Sequence, residues 1–180
     1  MAPVRAVRTV ALVAVLLAGP LALPAAAAPA VRADGSPARA GAIFTANLIA
    51  RQSDRCLSVS TGSTRNGSPA IQWDCGSQLD QLWRMVSMGG GFYHLRATHS
   101  SKCLSVANGS TEDGAVVIQW ECGPQYDQQW KLVQKEGGFF AFVARHSGKC
   151  LSVYDGSAQS GASVIQWECG TQHDQQWKFA

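Results

Sequence analysis

The sequence predicts an all-β domain in which one 47-residue unit is written three times and closes on itself. Three observations carry this. Cysteines fall at 56, 103 and 150 and again at 75, 122 and 169, so both sets step by 47 residues. Ile-Gln-Trp at 71–73 returns at 118–120 and 165–167, and Asp-Gln-x-Trp at 80–83 returns at 127–130 and 174–177. Aligned without gaps, 18 of the 47 columns hold one residue in all three copies. A unit of that length cannot bury a core alone, so the copies must share one.

Residues 1–30 read as a secretory leader. Arg5 and Arg8 give the positive start, Val10 to Leu23 the apolar run, and Ala25 to Ala28 the small-residue zone, with cleavage expected between 27 and 33. The competing reading is an uncleaved anchor, but the run carries Pro20 and is shorter than the roughly 20 residues a span requires. Residues 31–43 lack apolar periodicity and read as a flexible lead-in. The copies then cover about 44–86, 87–133 and 134–180.

Within a copy the runs have strand length and β-branched or aromatic character. Phe92 to Ala97, Cys103 to Val106, Val116 to Trp120 and Gln128 to Val133 are the four strands expected of the second copy. Turn signals separate such runs: Asn66-Gly67, Asp113-Gly114, Gly89-Gly90-Gly91 and Gly137-Gly138. Four strands per copy give about twelve in all. Closure into a ring removes the open sheet edges that a β protein must otherwise protect. An open stack would need distinct capping repeats, and the three copies are equally regular.

Composition narrows the function. The 180 residues carry 15 Lys+Arg against 12 Asp+Glu, too even a balance for a nucleic-acid binder or a polybasic membrane clamp. Six Trp and six Phe supply core material that a disordered chain lacks. The length excludes a large multidomain enzyme.

Six cysteines permit 15 pairings. Three-fold repetition reduces these to pairing within each copy or one cyclic exchange between copies. We take Cys56–Cys75, Cys103–Cys122 and Cys150–Cys169, consistent with export to an oxidising space. Zinc would want closely spaced cysteines or paired histidines, and 18 residues separate these partners. No metal and no cofactor are expected.

With Cys-Leu-Ser-Val, Ile-Gln-Trp-acidic-Cys and Gln-x-Trp each present three times, the chain resembles the ricin B-type lectin modules over residues 44–180. The resemblance implies a β-trefoil, a three-fold barrel of twelve strands with one shallow sugar pocket per repeat. It assigns Trp83, Trp130 and Trp177 to the core, and Trp73, Trp120 and Trp167 to the position where an indole face stacks on a sugar. A tryptophan two residues before a bridged cysteine could equally pack over the bridge. Gln81, Gln128 and Gln175 share a strand face with the core tryptophans by alternation, and in the family they bond backbone and shape the pocket edge.

The chain departs from the family at the polar positions. The acidic residue usual in the Cys-x-Asp-Val strand is Ser58, Ser105 and Ser152, and the usual Asn before Gln-x-Trp is Asp80, Asp127 and Asp174. Each pocket keeps one carboxylate at a different place. The pocket glutamine expected two residues before the aromatic is Ile71, Ile118 and Ile165; Gln72, Gln119 and Gln166 fall one place off and face away from the tryptophan side. An altered sugar preference and a loss of binding both follow from such changes. The third pocket adds Tyr154 and His173, and the second adds Tyr126, so the third has the most extra aromatic surface.

Enzyme signatures are missing. No Gly-x-Ser-x-Gly, His-Glu-x-x-His or phosphate loop occurs. His99 and His146 share one repeat column and read as turn residues. Most carboxylates recur in register, whereas a glycosidase needs one asymmetric pair. The chain ends three residues after Trp177, so no accompanying catalytic domain is expected. The sequence thus points to a secreted, monomeric, non-catalytic lectin for poly- or oligosaccharide from cell walls or the environment. The alternative is a secreted protein-interaction or protease-inhibitor module with degenerate pockets; the gap-free register leaves no copy-specific long loop for an inhibitor.

Overall fold

The computed structural model describes residues 44–180 and, before them, only the backbone of β1 (Ala30–Val31) and β2 (Pro37–Ala38). These two short strands pair antiparallel with each other and stand apart from the main sheet. Apart from Ala30, the expected leader lies outside the described residues, as does most of the expected lead-in.

Twelve strands form one continuous sheet. The first copy supplies β3 (Phe44–Ala50), β4 (Cys56–Val59), β5 (Ala70–Trp73) and β6 (Leu82–Gly89). The second supplies β7 (Phe92–Ala97), β8 (Cys103–Val106), β9 (Val117–Trp120) and β10 (Trp130–Gln134). The third supplies β11 (Phe140–Ala144), β12 (Cys150–Val153), β13 (Val164–Trp167) and β14 (Trp177–Phe179).

Neighbour pairing runs β3–β6–β7–β10–β11–β14 and returns to β3, a closed six-stranded barrel with every contact antiparallel. The remaining strands form three hairpins, β4–β5, β8–β9 and β12–β13, which touch one another through single bridges: Pro69 with Ile118, Ile71 with Ser163, and Val116 with Ile165. This is the β-trefoil architecture, and the ring closes as its three regular copies predict.

The core is layered by repeat column. Leu48, Leu95 and Phe142 share one column, and Leu57, Leu104 and Leu151 another; all are at most 1% exposed. Ala50, Ala97 and Ala144 keep a third column small where the barrel strands approach the tryptophans. Trp83, Trp130 and Trp177 are buried, and each indole Nε1 donates to the carbonyl of Leu57, Leu104 or Leu151 at 2.9–3.0 Å. That bond meets the polar demand a buried tryptophan makes, and the core role expected for these three is found.

The bridges close within copies, Cys56–Cys75, Cys103–Cys122 and Cys150–Cys169, and the described residues hold no free cysteine.

Three sequence expectations need correction. The fourth strand of the second copy begins at Trp130 rather than Gln128, because Tyr126–Gln128 forms a 3-10 turn, as Leu79–Gln81 and His173–Gln175 do. Gln81, Gln128 and Gln175 therefore do not share a strand face with the tryptophans. They point inward from a turn, where alternation does not apply. Val116 likewise lies outside β9 and contributes a single bridge to Ile165.

Candidate functional site

In the first and third copies the third strand, the 3-10 turn and the rim after the second strand line one shallow cleft, and the second copy places the matching residues on the same elements. In the first copy the cleft measures about 460 Å³ and is lined by Ser58, Ile71, Trp73, Asp80 and Gln81, with Thr61 and Gly62 at the rim. In the third it measures about 450 Å³, with Ser152, Ile165, Trp167, Asp174 and Gln175 at the matching places and Tyr154 and Asp155 at the rim.

Trp73, Trp120 and Trp167 end their strands on the outward side, opposite Cys56, Cys103 and Cys150 in register. They are 43–44% exposed, against 0% for the glutamines just before them. Each indole rests on a glycine of a neighbouring copy. A Cβ built on Gly67, Gly114 or Gly161 would lie 3.8, 3.7 or 3.4 Å from Cζ3 of Trp120, Trp167 or Trp73. These glycines also carry φ of +81° to +87°, which L side chains rarely adopt. A turn from one copy therefore backs the tryptophan of another and leaves part of its surface open to solvent.

The same cleft is lined by a carboxylate, Asp80 in the first copy and Asp174 in the third. Ser58, Ser105 and Ser152 Oγ each donate to Asp80, Asp127 or Asp174 Oδ2 at 2.6 Å. The serine and the aspartate thus meet across the cleft, 22 residues apart in sequence. The carboxylate that the strand lacks arrives from the turn, and the serine holds one of its oxygens. Among the described residues Oδ1 of each aspartate makes no hydrogen bond, so it can accept from a ligand hydroxyl. Hydrogen bonds to ionised groups are the stronger kind.

Gln81, Gln128 and Gln175 sit beneath this pair and are 1% exposed. Each accepts from the amide of Gly76, Gly123 or Gly170 at 2.8 Å and donates to the carbonyl of Asp74, Glu121 or Glu168 at 2.8–3.0 Å. They clamp the loop after the exposed tryptophan to the turn that carries the aspartate, and their side chains still border the cleft in the first and third copies.

The structure separates the extra aromatic residues. Tyr154 lies on the rim of the third cleft. His173, expected there as well, instead lines a separate depression with Arg51, Lys135 and Gln176, because its place in the turn directs it away from Asp174. Tyr126 lies under the guanidinium of Arg145, 3.9 Å from ring centre to Cζ. Both are seam residues between copies.

Sequence reasoning placed Gln72, Gln119 and Gln166 away from the cleft and gave them no task. Each is fully buried and reaches into another copy: Gln72 to the carbonyls of Ser157 and Gln159, Gln119 to those of Ser63 and Arg65, and Gln166 to those of Ser110 and Glu112. His99 and His146 reinforce the same loops, with Nε2 at 2.9 and 2.8 Å from the carbonyls of Ser63 and Ser110. Their shared column is a turn column, as expected, and it also ties copy to copy.

Other chemistry finds little support. His94, Cys103 and Cys122 lie together, but both sulfurs are spent in a bridge. Among the described residues no helix is long and apolar enough to cross a membrane.

The family model described as Ricin-type beta-trefoil lectin domain matches residues 44–178. No curated protein sequence matches. Among solved structures, a designed three-fold symmetric protein, ThreeFoil, is 43% identical with a TM-score of 0.75, covering 76% of this chain and 97% of that one. The exo-beta-1,3-galactanase 1,3Gal43A of Clostridium thermocellum is 32% identical with a TM-score of 0.74; the match covers 76% of this chain but only 30% of the galactanase. The hemolytic lectin CEL-III is 26% identical with a TM-score of 0.66, covering 81% of this chain and 32% of that one. With a match that spans all three copies, the chain belongs to the ricin-type β-trefoil lectin domain family.

Proposed function

We propose that the protein is a secreted, monomeric, non-catalytic lectin that holds poly- or oligosaccharide in up to three shallow clefts. One observation carries the reading. Every copy carries a half-exposed indole and a serine-anchored aspartate, and in the first and third copies the two line one cleft. The indole offers an apolar face to the C–H groups of a pyranose. The free carboxylate oxygen accepts a sugar hydroxyl, and the serine keeps the carboxylate from turning.

Three equivalent aspartates support binding rather than catalysis. Each carboxylate has a serine, not a second carboxyl group, as its partner in the cleft, whereas glycoside hydrolysis uses two carboxyl groups flanking one bond. Likeness to proteins whose names include lectins supports the same reading. A single pocket of this kind binds weakly, at about 1 mM. Three on one body raise the apparent affinity for a polymer whose units can reach more than one of them.

The test is retention of the oxidised protein on a panel of insoluble polysaccharides, with a glycan array alongside. Retention released by free sugar and reduced in Trp167→Ala is the expected result. No retention by folded protein with three closed bridges would refute the reading and turn attention to protein partners.

A further inference from the structure

The three-fold pattern breaks at the seams, where the residue after the first strand of one copy bonds to the preceding copy. Thr98 N donates to Leu82 O, Arg145 N to Gln129 O, and Arg51 N to Gln176 O, each at 2.8 Å. On these identical frames the side chains differ. The first seam has no cation at this place. At the second, Arg145 Nη1 donates to Gln129 Oε1 at 2.7 Å, and the guanidinium carbon lies 4.7 Å from the Phe92 ring centre and 3.9 Å from that of Tyr126. Two aromatic rings cover that arginine.

At the third seam Arg51 Nη1 donates to Gln176 Oε1 at 2.6 Å and stacks on Phe139 at 4.8 Å. The place of Tyr126 is taken by His173, and the second ring is gone. A depression of about 730 Å³ opens there, walled by Arg51, Lys135, Glu136, Thr171, His173 and Gln176. Among the described residues, Arg51, Lys135 and His173 make no ion pair. Arg51 Nε and Nη2 have no protein acceptor there either. Phe139 and Gln176 hold the guanidinium in place while half of its donor fork stays unused.

We infer that this depression is a fourth subsite, one that takes the carboxylate of a uronic acid unit in a polysaccharide. The planar guanidinium matches a carboxylate two-pronged, and Lys135 adds a second positive charge. Glu136 is the single carboxylate in the wall. It accepts sugar hydroxyls and repels a dense polyanion such as nucleic acid, so the site favours an isolated acid group on a hydroxyl-rich chain.

The subsite adjoins the third cleft. His173 and Asp174 are consecutive in one 3-10 turn, with His173 lining the depression and Asp174 the Trp167 cleft. One turn therefore partitions the two, and neighbouring units of one polysaccharide can occupy both. This inference rests on the lectin reading above and adds to it a preference for acidic glycans.

Calorimetric titration of the whole oxidised protein with an oligogalacturonide, its methyl ester and a sulfated oligosaccharide of equal length tests it. A neutral glycan from the polysaccharide panel serves as the separate control for the lectin reading. At about 50 mM salt the free acid should bind roughly tenfold more tightly than the ester, and the preference should vanish near 0.5 M salt. Lys135→Met, which installs the side chain of Met88 from the same repeat column, and His173→Tyr, which restores the ring of the second seam, should each abolish the preference while neutral-glycan binding persists. Equal binding of acid and ester overturns the subsite and leaves the lectin reading intact. Preference for the sulfated sugar overturns the carboxylate assignment. Failure of every glycan, neutral ones included, overturns both.

Discussion

Replacing Gln119 by leucine should cost about 3 kcal/mol, and the damage should surface in the copy next door. The side chain is fully buried; Nε2 donates to Ser63 O at 2.6 Å and Arg65 O at 2.9 Å, and Oε1 accepts from Ser100 Oγ at 2.7 Å. Each buried hydrogen bond contributes about 1 kcal/mol net, so losing three gives that figure. The full desolvation penalty is not reached. Ser63 O keeps the imidazole of His99 at 2.9 Å, and Arg65 O keeps Ser68 Oγ at 3.0 Å, so neither carbonyl is orphaned. The main-chain ties from Gly67 N to Gln119 O and from Gln119 N to Ser68 O, both 2.9 Å, also survive the substitution. Urea unfolding followed by tryptophan fluorescence reads the loss as a lower midpoint at unchanged slope. Hydrogen exchange locates it, with amides of residues 63–66 losing protection before those of the barrel strands. A loss below about 1 kcal/mol, or one spread through the barrel with that loop unaffected, would refute the reasoning.

Trp177→Ala should destabilise by about 3–5 kcal/mol in the same assay, because it empties a buried site and strips Leu151 O of its donor. Trp167→Ala, at a half-exposed position, should cost about 1 kcal/mol or less while weakening glycan retention; equal destabilisation by both would contradict the division of roles. Ser152→Ala should leave the fold intact and reduce affinity at the third cleft several-fold by freeing Asp174 to rotate, measured by titration with the panel's preferred glycan. Joint replacement of Cys103 and Cys122 by alanine opens a loop with a sequence separation of 19 and should lower stability by about 3 kcal/mol. Burial, with Arg96 adding repulsion, holds the His94 imidazole below its usual pKa of 6.5. The unfolded chain therefore binds a proton that the folded chain resists. Stability is full above that pH and declines as pH falls below it. His94→Ala, the residue of the matching position Ala141, should flatten this slope between about pH 7 and 5, as followed by thermal melts.

The repeat made most of the fold legible. A pattern written three times separates signal from noise, so the strand number is legible in the spacing and the bridge pairings reduce to two, while the core role of Trp83, Trp130 and Trp177 comes from the family resemblance. What stayed hidden depends on the chain folding back across turns. Alternation carried past Leu79–Gln81 misplaces Gln81, because a 3-10 turn resets the phase. In the sequence Ser58 reads as a lost carboxylate and Asp80 as one kept at a different place; only the tertiary structure shows that they form one pair. Sequence adjacency puts His173 beside Asp174 in the third cleft, but neighbours in a tight turn face different sides, and His173 lines a separate depression. The copy-to-copy reach of Gln119 carries no local signature, since a buried glutamine reads in sequence as any polar residue.

The closing seam of the barrel has a consequence for chain connectivity. Asn47 and Ala180 exchange main-chain hydrogen bonds, N to O at 2.9 Å one way and 3.1 Å the other, and β14 runs antiparallel to β3 beside them. The first and last barrel strands are thus ordinary neighbours, joined by the same kind of pairing as any two strands whose connection is covalent. A short linker from Ala180 to Phe44 would preserve that pairing, and new ends could be cut in the glycine turns at 89–91 or 137–138. Such circular permutants should keep all three clefts, since each cleft depends on which copies lie side by side and not on the order in which they are synthesised.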